Sequence, residues 1–263
     1  MMLRAAVVQT DPAFGEVDRN VEAALALVPP ACDLAVLPEL FATGYQFVDR
    51  AEAFTLAESV PDGPICRRLR DFAGASGTTL VAGLAERADD RVFNSAVLVR
   101  PDGTHELYRK VHLFWDEKVV FDAGNLGFPV FAACGTTIGM MICFDWIFPE
   151  AARTLALRSA QLICHPSNLV LPHCPNSMPV RALENRVFTL TANRVGHEHR
   201  TATPLTFIGN SRIIAPNAAV VAACGDTEAA AATATVDLSL CDKNLTPRND
   251  LFADRRPEAY GLM

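Results

Sequence analysis

The sequence has no cluster of lysine and arginine side chains, although 23 of its 263 residues are basic. Its net charge is −7. Because nucleic acids and anionic membranes are bound by clustered positive charge, we expect neither as a partner. The sequence also lacks low-complexity linkers and internal repeats. We therefore expect a single domain over residues 1–263, with residues 238–263 as a polar tail.

No Cys-x-x-Cys pair occurs among the eight cysteines, so zinc-finger and redox motifs are not indicated. Several cysteines lie in apolar runs, as Cys164 does in Leu-Ile-Cys-His, which is typical of small buried side chains in a reducing compartment. The first residues become polar too soon for the apolar region of a secretory signal. We expect a cytoplasmic protein.

One uncharged stretch, residues 125–144, is long enough to span a bilayer on length alone. It contains Pro129 and Gly135, which suit a lipid-facing helix poorly. The stretch divides into two short strands around Gly135, and we therefore predict a hairpin in place of a membrane span.

Short apolar runs alternate with segments of helical spacing, which predicts a layered α/β fold. Hairpin signals at Pro101-Asp102-Gly103 and around Gly135 indicate mixed sheets. Residues 228–234 fit a helix or a late strand equally well. The segments with helical spacing are Val17–Leu27, Ile65–Ala73, Pro149–Ser159 and Met178–Phe188.

Three apolar runs end in polar residues, Glu39, Cys143 and the His165 segment, and strand ends of this kind can converge on one site. Cys143 precedes Pro149, which is suited to the first position of a helix. A thiol on a strand-to-helix turn resembles an exposed nucleophile, with the backbone N–H of Phe144 as an oxyanion donor. By position alone, a buried inert cysteine is an equally good interpretation.

A nucleophilic thiol needs a base or a positive neighbour. His112 and His165 lie nearest in the sequence pattern, but nothing pairs either with Cys143. A glutamate and lysine pair is the alternative, formed by Glu39 and Lys110. By position alone, Lys110 also fits a solvated surface charge and Glu39 a loop carboxylate or helix cap.

Three sequence blocks contain these candidate residues. The blocks are Leu37-Pro38-Glu39-Leu40-Phe41, Tyr108-Arg109-Lys110-Val111-His112-Leu113-Phe114 and Ile142-Cys143-Phe144-Asp145-Trp146-Ile147-Phe148-Pro149-Glu150. In this order they resemble the motifs of the nitrilase superfamily of carbon–nitrogen hydrolases, and the region from Cys143 to Gly196 looks like the small archaeal-type nitrilases and related aliphatic or omega-amidases. The resemblance implies Glu39, Lys110 and Cys143 as catalytic residues, with a further glutamate at Glu117.

The resemblance implies a four-layer αββα sandwich that forms a homodimer or higher homo-oligomer through the helices after Cys143 and Cys164, with the tail from Leu238 crossing to the partner. It implies no metal and no cofactor. We expect a small-molecule substrate, either an amide, which is favoured, or a nitrile. A thiol hydrolase with a histidine base, an acyl transferase and a non-catalytic binding protein are the alternatives. The side chains expected to line the substrate pocket are Phe41, Tyr45, Trp115, Trp146 and Asn168.

Overall fold

A computed structural model describes residues 1–261 as two six-stranded mixed sheets packed face to face, with helices on both outer sides. The strands are β1 (Met2–Gln9), β2 (Leu34–Val36), β3 (Thr79–Ala88), β4 (Arg91–Val99), β5 (His105–Arg109), β6 (Val130–Ala133), β7 (Thr136–Met140), β8 (Leu162–Pro166), β9 (Phe188–Ala192), β10 (His197–Glu198), β11 (Leu205–Thr206), β12 (Arg212–Ile214), β13 (Val220–Ala223), β14 (Ala230–Asp237), β15 (Asn244–Thr246) and β16 (Asn249–Asp250). The helices are α1 (Val17–Ala26), α2 (Arg50–Leu56), α3 (Pro64–Ser76), α4 (Glu117–Val120), α5 (Pro149–Leu157), α6 (His173–Asn185) and α7 (Pro257–Tyr260).

The first sheet has the order β14-β1-β2-β3-β4-β5, and the second has the order β13-β12-β9-β8-β7-β6. Each sheet has a parallel centre, β1-β2-β3 in one and β7-β8-β9 in the other. Antiparallel strands flank both centres. The carboxyl ends of the parallel strands therefore carry the segments that contain Glu39, Cys143 and His165.

Alternation along β1 shows how the layers form. Val7 belongs to the core between the sheets, whereas Ala6 and Val8 belong to a second core beneath α1 and α3. Successive side chains of a strand point to opposite faces, so a continuous apolar run can pack on both sides. Helices α5 and α6 cover the second sheet. The α/β sandwich expected from the resemblance is therefore confirmed.

The uncharged stretch at residues 125–144 contains the β6–β7 hairpin, which turns at Gly135 with φ +68°. Within residues 1–261, no helix is long and apolar enough to cross a membrane. The undecided alanine-rich segment forms β14, which pairs antiparallel with β1 along its length.

The helix predicted over Met178–Phe188 was misplaced, since α6 begins at His173 and ends at Asn185. Arg186 ends it in the left-handed conformation with φ +50°, and Phe188 already belongs to β9. Pro179 lies inside the helix and cannot donate to the carbonyl of Pro175. Arg212 Nη1 donates to that carbonyl instead, at 3.3 Å, so a proline that obscured the helical pattern is accommodated.

The polar segment after Leu238 forms a short 3₁₀ turn, the β15–β16 hairpin and α7. In the single chain it packs on α6: Lys243 Nζ donates to the carbonyls of Asn185 and Arg186 at 2.8 and 2.9 Å. The same ammonium lies 4.9 Å from the ring centre of Phe252. The crossing of this tail to a partner stays a prediction.

Candidate active site

Three segments at the ends of strands meet in the interior. Glu39 follows β2, Lys110 follows β5 directly, and Cys143 follows β7. Glu39 and Lys110 have no exposed surface, and Cys143 is 5% exposed. The structure thus brings together the three residues that the sequence motifs singled out.

Lys110 lies between two carboxylates. Its Nζ is 2.7 Å from Glu39 Oε1 and 2.7 Å from Glu117 Oε1. Glu117 is the first residue of α4, and it also accepts hydrogen bonds from Tyr45 Oη at 2.7 Å and the backbone N–H of Phe114 at 3.1 Å. This arrangement fixes the ammonium by opposite charge on two sides.

The protonation states of Lys110 and Glu117 depend on each other. Burial alone would lower the pKa of Lys110, but Glu117 and Glu39 outweigh it and hold that pKa above its ordinary value. Burial raises the pKa of Glu117 to about 7, against the opposing effect of Lys110. Lys110 is therefore protonated at neutral pH, and Glu117 titrates near neutrality.

Glu39 is oriented by neighbours on both sheets. Asn94 in β4 donates through Nδ2 to Glu39 Oε1 at 2.7 Å, and Asn168 donates through Nδ2 to the Glu39 carbonyl at 2.9 Å. Gly83 in β3 permits the close approach, because a Cβ there would lie 2.5 Å from Glu39 Cα. Glu39 Oε2 is buried and has no hydrogen-bond partner in the described part of the chain.

Cys143 begins a 3₁₀ turn that leads into α5, whose first residue is Pro149. Its φ of +40° lies in the left-handed region, which non-glycine residues rarely adopt and which often marks a functional position. Burial, and then the charge of Glu39, raise the pKa of the thiol, while Lys110 and the backbone N–H of Asn168 oppose the shift. The thiol therefore needs a base.

Asp145 holds this turn in place. Its buried carboxylate accepts hydrogen bonds from Tyr108 Oη at 2.6 Å, the backbone N–H of Ile142 at 2.8 Å and the backbone N–H of His112 at 3.1 Å. Tyr108 and His112 flank Lys110 in the sequence. Asp145 consequently links the lysine segment to the cysteine segment.

The two histidines nearest the site contact other groups. His165 Nε2 lies 2.9 Å from the carbonyl oxygen of Cys143, and His112 Nδ1 lies 2.8 Å from Asp145 Oδ1. Burial lowers the pKa of His165 to about 4, so its ring is neutral at physiological pH. A neutral ring that donates to a carbonyl supports the backbone of the turn.

An apolar pocket with about 410 Å³ of empty space opens beside Cys143. Its walls include Phe114, Phe144, Trp146, Ile147 and Leu169. A second pocket, with about 380 Å³ of empty space, lies on the side of Glu117 and Tyr45. No group of three or more His, Cys, Asp or Glu side chains suited to a metal ion occurs among residues 1–261.

The model of the carbon–nitrogen hydrolase family matches residues 4–243, most of the chain. The chain belongs to the carbon–nitrogen hydrolase family. A nitrilase of Pyrococcus abyssi is 47% identical, with 98% of this chain and 99% of that protein covered. An N-carbamoylputrescine amidase of Solanum lycopersicum is 32% identical over 94% of this chain and 90% of its own length.

Solved structures agree with this family assignment. The carbon–nitrogen hydrolase of Helicobacter pylori G27 has a TM-score of 0.89 and 26% identity, covering 99% of this chain and 97% of its own. An amidase of Nesterenkonia sp. has a TM-score of 0.80 and 26% identity, covering 98% and 94%. The protein is therefore an enzyme that hydrolyses carbon–nitrogen bonds.

The predicted substrate residues of this carbon–nitrogen hydrolase are divided between different places. Trp146 and Asn168 line the pocket beside Cys143, whereas Tyr45 and Trp115 line the second pocket. Phe41 packs in the core beneath α1 and α3. The chain turns at Leu40, where φ is +48°. Phe41 is fully buried and lines neither of these two pockets.

Several residues of the carbon–nitrogen hydrolase site were missed by sequence reasoning. Asn94 lies within the apolar run of β4, where a polar residue in a buried strand was a usable signal. Asp145 lies two residues after the cysteine, inside the third motif block, and its position in the motif does not indicate which donors its carboxylate accepts from. Phe114 and Leu169 line the pocket and gave no signal, because apolar residues fit any core.

Proposed function

We propose that the protein hydrolyses small aliphatic primary amides, releasing ammonia through a thioester on Cys143. One observation carries this proposal: Glu39 shares its buried site with a thiol, one of its oxygens contacts Lys110 and Asn94, and the other has no hydrogen-bond partner among residues 1–261. A carboxylate with one free oxygen can take a proton without losing its orientation.

In the proposed first half-reaction, the thiol proton moves to Glu39 Oε2 as the sulfur attacks the carbonyl carbon. Lys110 and the backbone N–H of Phe144 stabilise the oxyanion, each donor contributing roughly 3–4 kcal/mol in comparable sites. The carbon–nitrogen bond then breaks, and Glu39 gives its proton to the leaving nitrogen. Ammonia departs and the acyl group remains on sulfur.

In the second half-reaction, Glu39 takes a proton from water, and the resulting hydroxide attacks the thioester carbon. The carbon–sulfur bond breaks, the carboxylic acid leaves, and Glu39 returns the proton to Cys143. Glu117 orients Lys110 through the 2.7 Å contact and does not itself exchange a proton with the substrate. Glu39 thus alternates as base and acid, and the cysteine is regenerated.

The walls of the pocket support a small aliphatic acyl group. Phe114, Phe144, Trp146 and Leu169 offer apolar surface, and no Arg, Lys, Asp or Glu among residues 1–261 lines this pocket. His173 lies on its wall, but a charged acyl group would otherwise meet mainly apolar surface, which is costly. A nitrile is the alternative substrate, since the same thiol would attack it, and the Pyrococcus abyssi relative named a nitrilase favours that alternative.

The test combines ammonia release with intact-protein mass spectrometry, using butyramide and butyronitrile as probes. The wild-type protein should release ammonia and, after rapid acid quenching, carry an added butyryl group. Cys143→Ala should do neither. Absence of both signals from the wild type, together with a Cys143 thiol that resists iodoacetamide, would favour a non-catalytic binding protein. Product formed only when an acceptor amine is supplied would favour acyl transfer.

We also propose a homodimer that forms through α5 and α6. Apolar side chains remain exposed on these helices in the single chain, with Leu157 at 41%, Val180 at 51% and Leu183 at 43% exposure. Burying such a surface against a second copy would be favourable. A cytoplasmic location also stays a prediction.

A further inference from the structure

Asn168 has one hydrogen-bonding atom that the fold does not use. Its Nδ2 donates to the Glu39 carbonyl at 2.9 Å, which fixes the orientation of the side-chain amide because a carbonyl requires a donor. Its Oδ1 is buried and accepts no hydrogen bond from any residue in the range 1–261. The residue is 3% exposed and lines the pocket beside Cys143.

A buried acceptor without a donor is unfavourable unless a ligand supplies the donor. Lys110 contacts Glu39 and Glu117, and in the proposed mechanism Lys110 and the Phe144 N–H donate to the oxyanion. Glu39 Oε2 receives the thiol proton in the same mechanism. Asn168 Oδ1 is then an acceptor for an N–H group of the substrate.

We propose that Asn168 Oδ1 accepts a hydrogen bond from the substrate's amide nitrogen, and that this acceptor makes the site selective for amides over nitriles and esters. This inference rests on the proposed cysteine hydrolase function and specifies its substrate class. An amide nitrogen carries N–H donors, whereas a nitrile nitrogen and an ester oxygen carry none.

The tether of Asn168 to the Glu39 backbone adds a positional argument. Because Nδ2 donates to the Glu39 backbone carbonyl, the side-chain amide of Asn168 is anchored to the residue whose carboxyl group protonates the leaving nitrogen in the proposed mechanism. Asn168 also lines the pocket beside Cys143. One residue is therefore anchored to the backbone of the proposed base and lines the pocket of the proposed nucleophile. Sites that hydrogen-bond a substrate N–H reject analogues without that group strongly.

The experiment compares butyramide, butyronitrile and methyl butyrate, which share one acyl chain. We expect the wild-type kcat/KM for butyramide to exceed that for butyronitrile by roughly 100-fold or more. Asn168→Ala removes the acceptor and also the donor to the Glu39 carbonyl, so kcat/KM should fall for both compounds, but at least about tenfold further for butyramide than for methyl butyrate. An equal loss on amide and ester would show that Asn168 only supports Glu39, and would overturn the inference.

A binding measurement guards against a poorly folded Asn168 variant. Cys143→Ala protein, which cannot form the thioester, should bind butyramide at least about tenfold more tightly than butyronitrile by calorimetry. Equal binding, or a wild-type enzyme that prefers the nitrile, would overturn the inference and leave the cysteine mechanism intact. A wild-type enzyme inactive on all three compounds would overturn the proposed function as well.

Discussion

Lys110 distinguishes the proposed mechanism from one that uses a histidine base. It contacts Glu39 and Glu117 at 2.7 Å each, whereas the Nε2 atom of His165 contacts the backbone carbonyl of Cys143 at 2.9 Å. The base and the oxyanion donor are therefore expected to come from the glutamate and lysine pair.

We predict that Lys110→Met lowers kcat for butyramide by about 10²- to 10³-fold, because it removes an oxyanion donor. His165→Gln retains a side-chain donor for the Cys143 carbonyl and should keep kcat within about tenfold. Steady-state ammonia release from both variants, with circular dichroism to confirm folding, provides the measurement. A larger loss of kcat in His165→Gln than in Lys110→Met would indicate a histidine base.

Glu117 makes the stability of the protein depend on pH. Burial raises its folded-state pKa to about 7 from an ordinary value of 4.5. The folded protein therefore binds the proton more tightly than the unfolded chain does. The stabilising contribution of the protonated acid is present below about pH 4.5 and is lost as the pH rises to about 7.

We predict that Glu117→Gln reduces this pH dependence. Between pH 5 and pH 8, the wild type should lose about 2–3 kcal/mol of unfolding free energy relative to the variant, which keeps hydrogen-bonding groups for Lys110 and Tyr45. Urea denaturation of both proteins at the two pH values measures the difference. Parallel pH profiles would contradict the raised pKa.

Single residues differed in how well the sequence predicted their place. Glu39, Lys110 and Cys143 were singled out by resemblance because their motif blocks are distinctive, and Glu117 by its place seven residues after the lysine; their catalytic roles stay predictions. Phe41 was misplaced, because its direction depends on the turn at Leu40, and no sequence pattern specifies a positive φ at a leucine. Which side chains line the pocket therefore depends on local turns that the sequence does not reveal.

At the scale of elements, the turn between β7 and α5 depends on Asp145. This carboxylate accepts hydrogen bonds from Tyr108 Oη, the Ile142 N–H and the His112 N–H. It thereby stabilises the left-handed conformation of Cys143 and keeps the lysine segment beside it.

We predict that Asp145→Asn destabilises the protein by about 2–3 kcal/mol, because an amide nitrogen would replace an acceptor that faces several donors. It should also lower kcat by about tenfold or more, since the Cys143 turn shifts. Tyr108→Phe is the matched control: it removes one donor and should cost about 1 kcal/mol. Chemical denaturation and ammonia release measure both effects. An Asp145→Asn enzyme with full activity would contradict the role of this carboxylate.

Three of the four helices predicted from spacing match α1, α3 and α5 to within three residues at each end. Continuous apolar runs indicated the parallel strands, because a strand that is buried on both faces consists mostly of apolar residues. Helix α6 was displaced because prolines at 175 and 179 interrupt its pattern, and an interaction distant in sequence, from Arg212, compensates for Pro179. The spacing of apolar residues within the helix does not indicate a hydrogen bond from a residue as distant in sequence as Arg212.

At the scale of the whole molecule, the layers were predicted from the resemblance, but the assembly was not tested by a single chain. The outer surface of α5 and α6 combines exposed apolar side chains with the tail that follows Leu238. A dimer that buries this surface would place two sandwiches back to back. The active sites would then lie near the interface, because α5 begins six residues after Cys143.

We predict that the wild type sediments as a dimer, at about twice the chain mass of 28.4 kDa. Val180→Asp with Leu183→Asp should yield a monomer, because two carboxylates would be buried unpaired in the interface. The matched control is Val119→Asp on α4, where the side chain is 76% exposed, and it should remain dimeric. Analytical ultracentrifugation over a concentration series distinguishes these outcomes. A wild-type monomer at micromolar concentration, or a Val180 and Leu183 variant that stays dimeric, would refute assembly through α5 and α6.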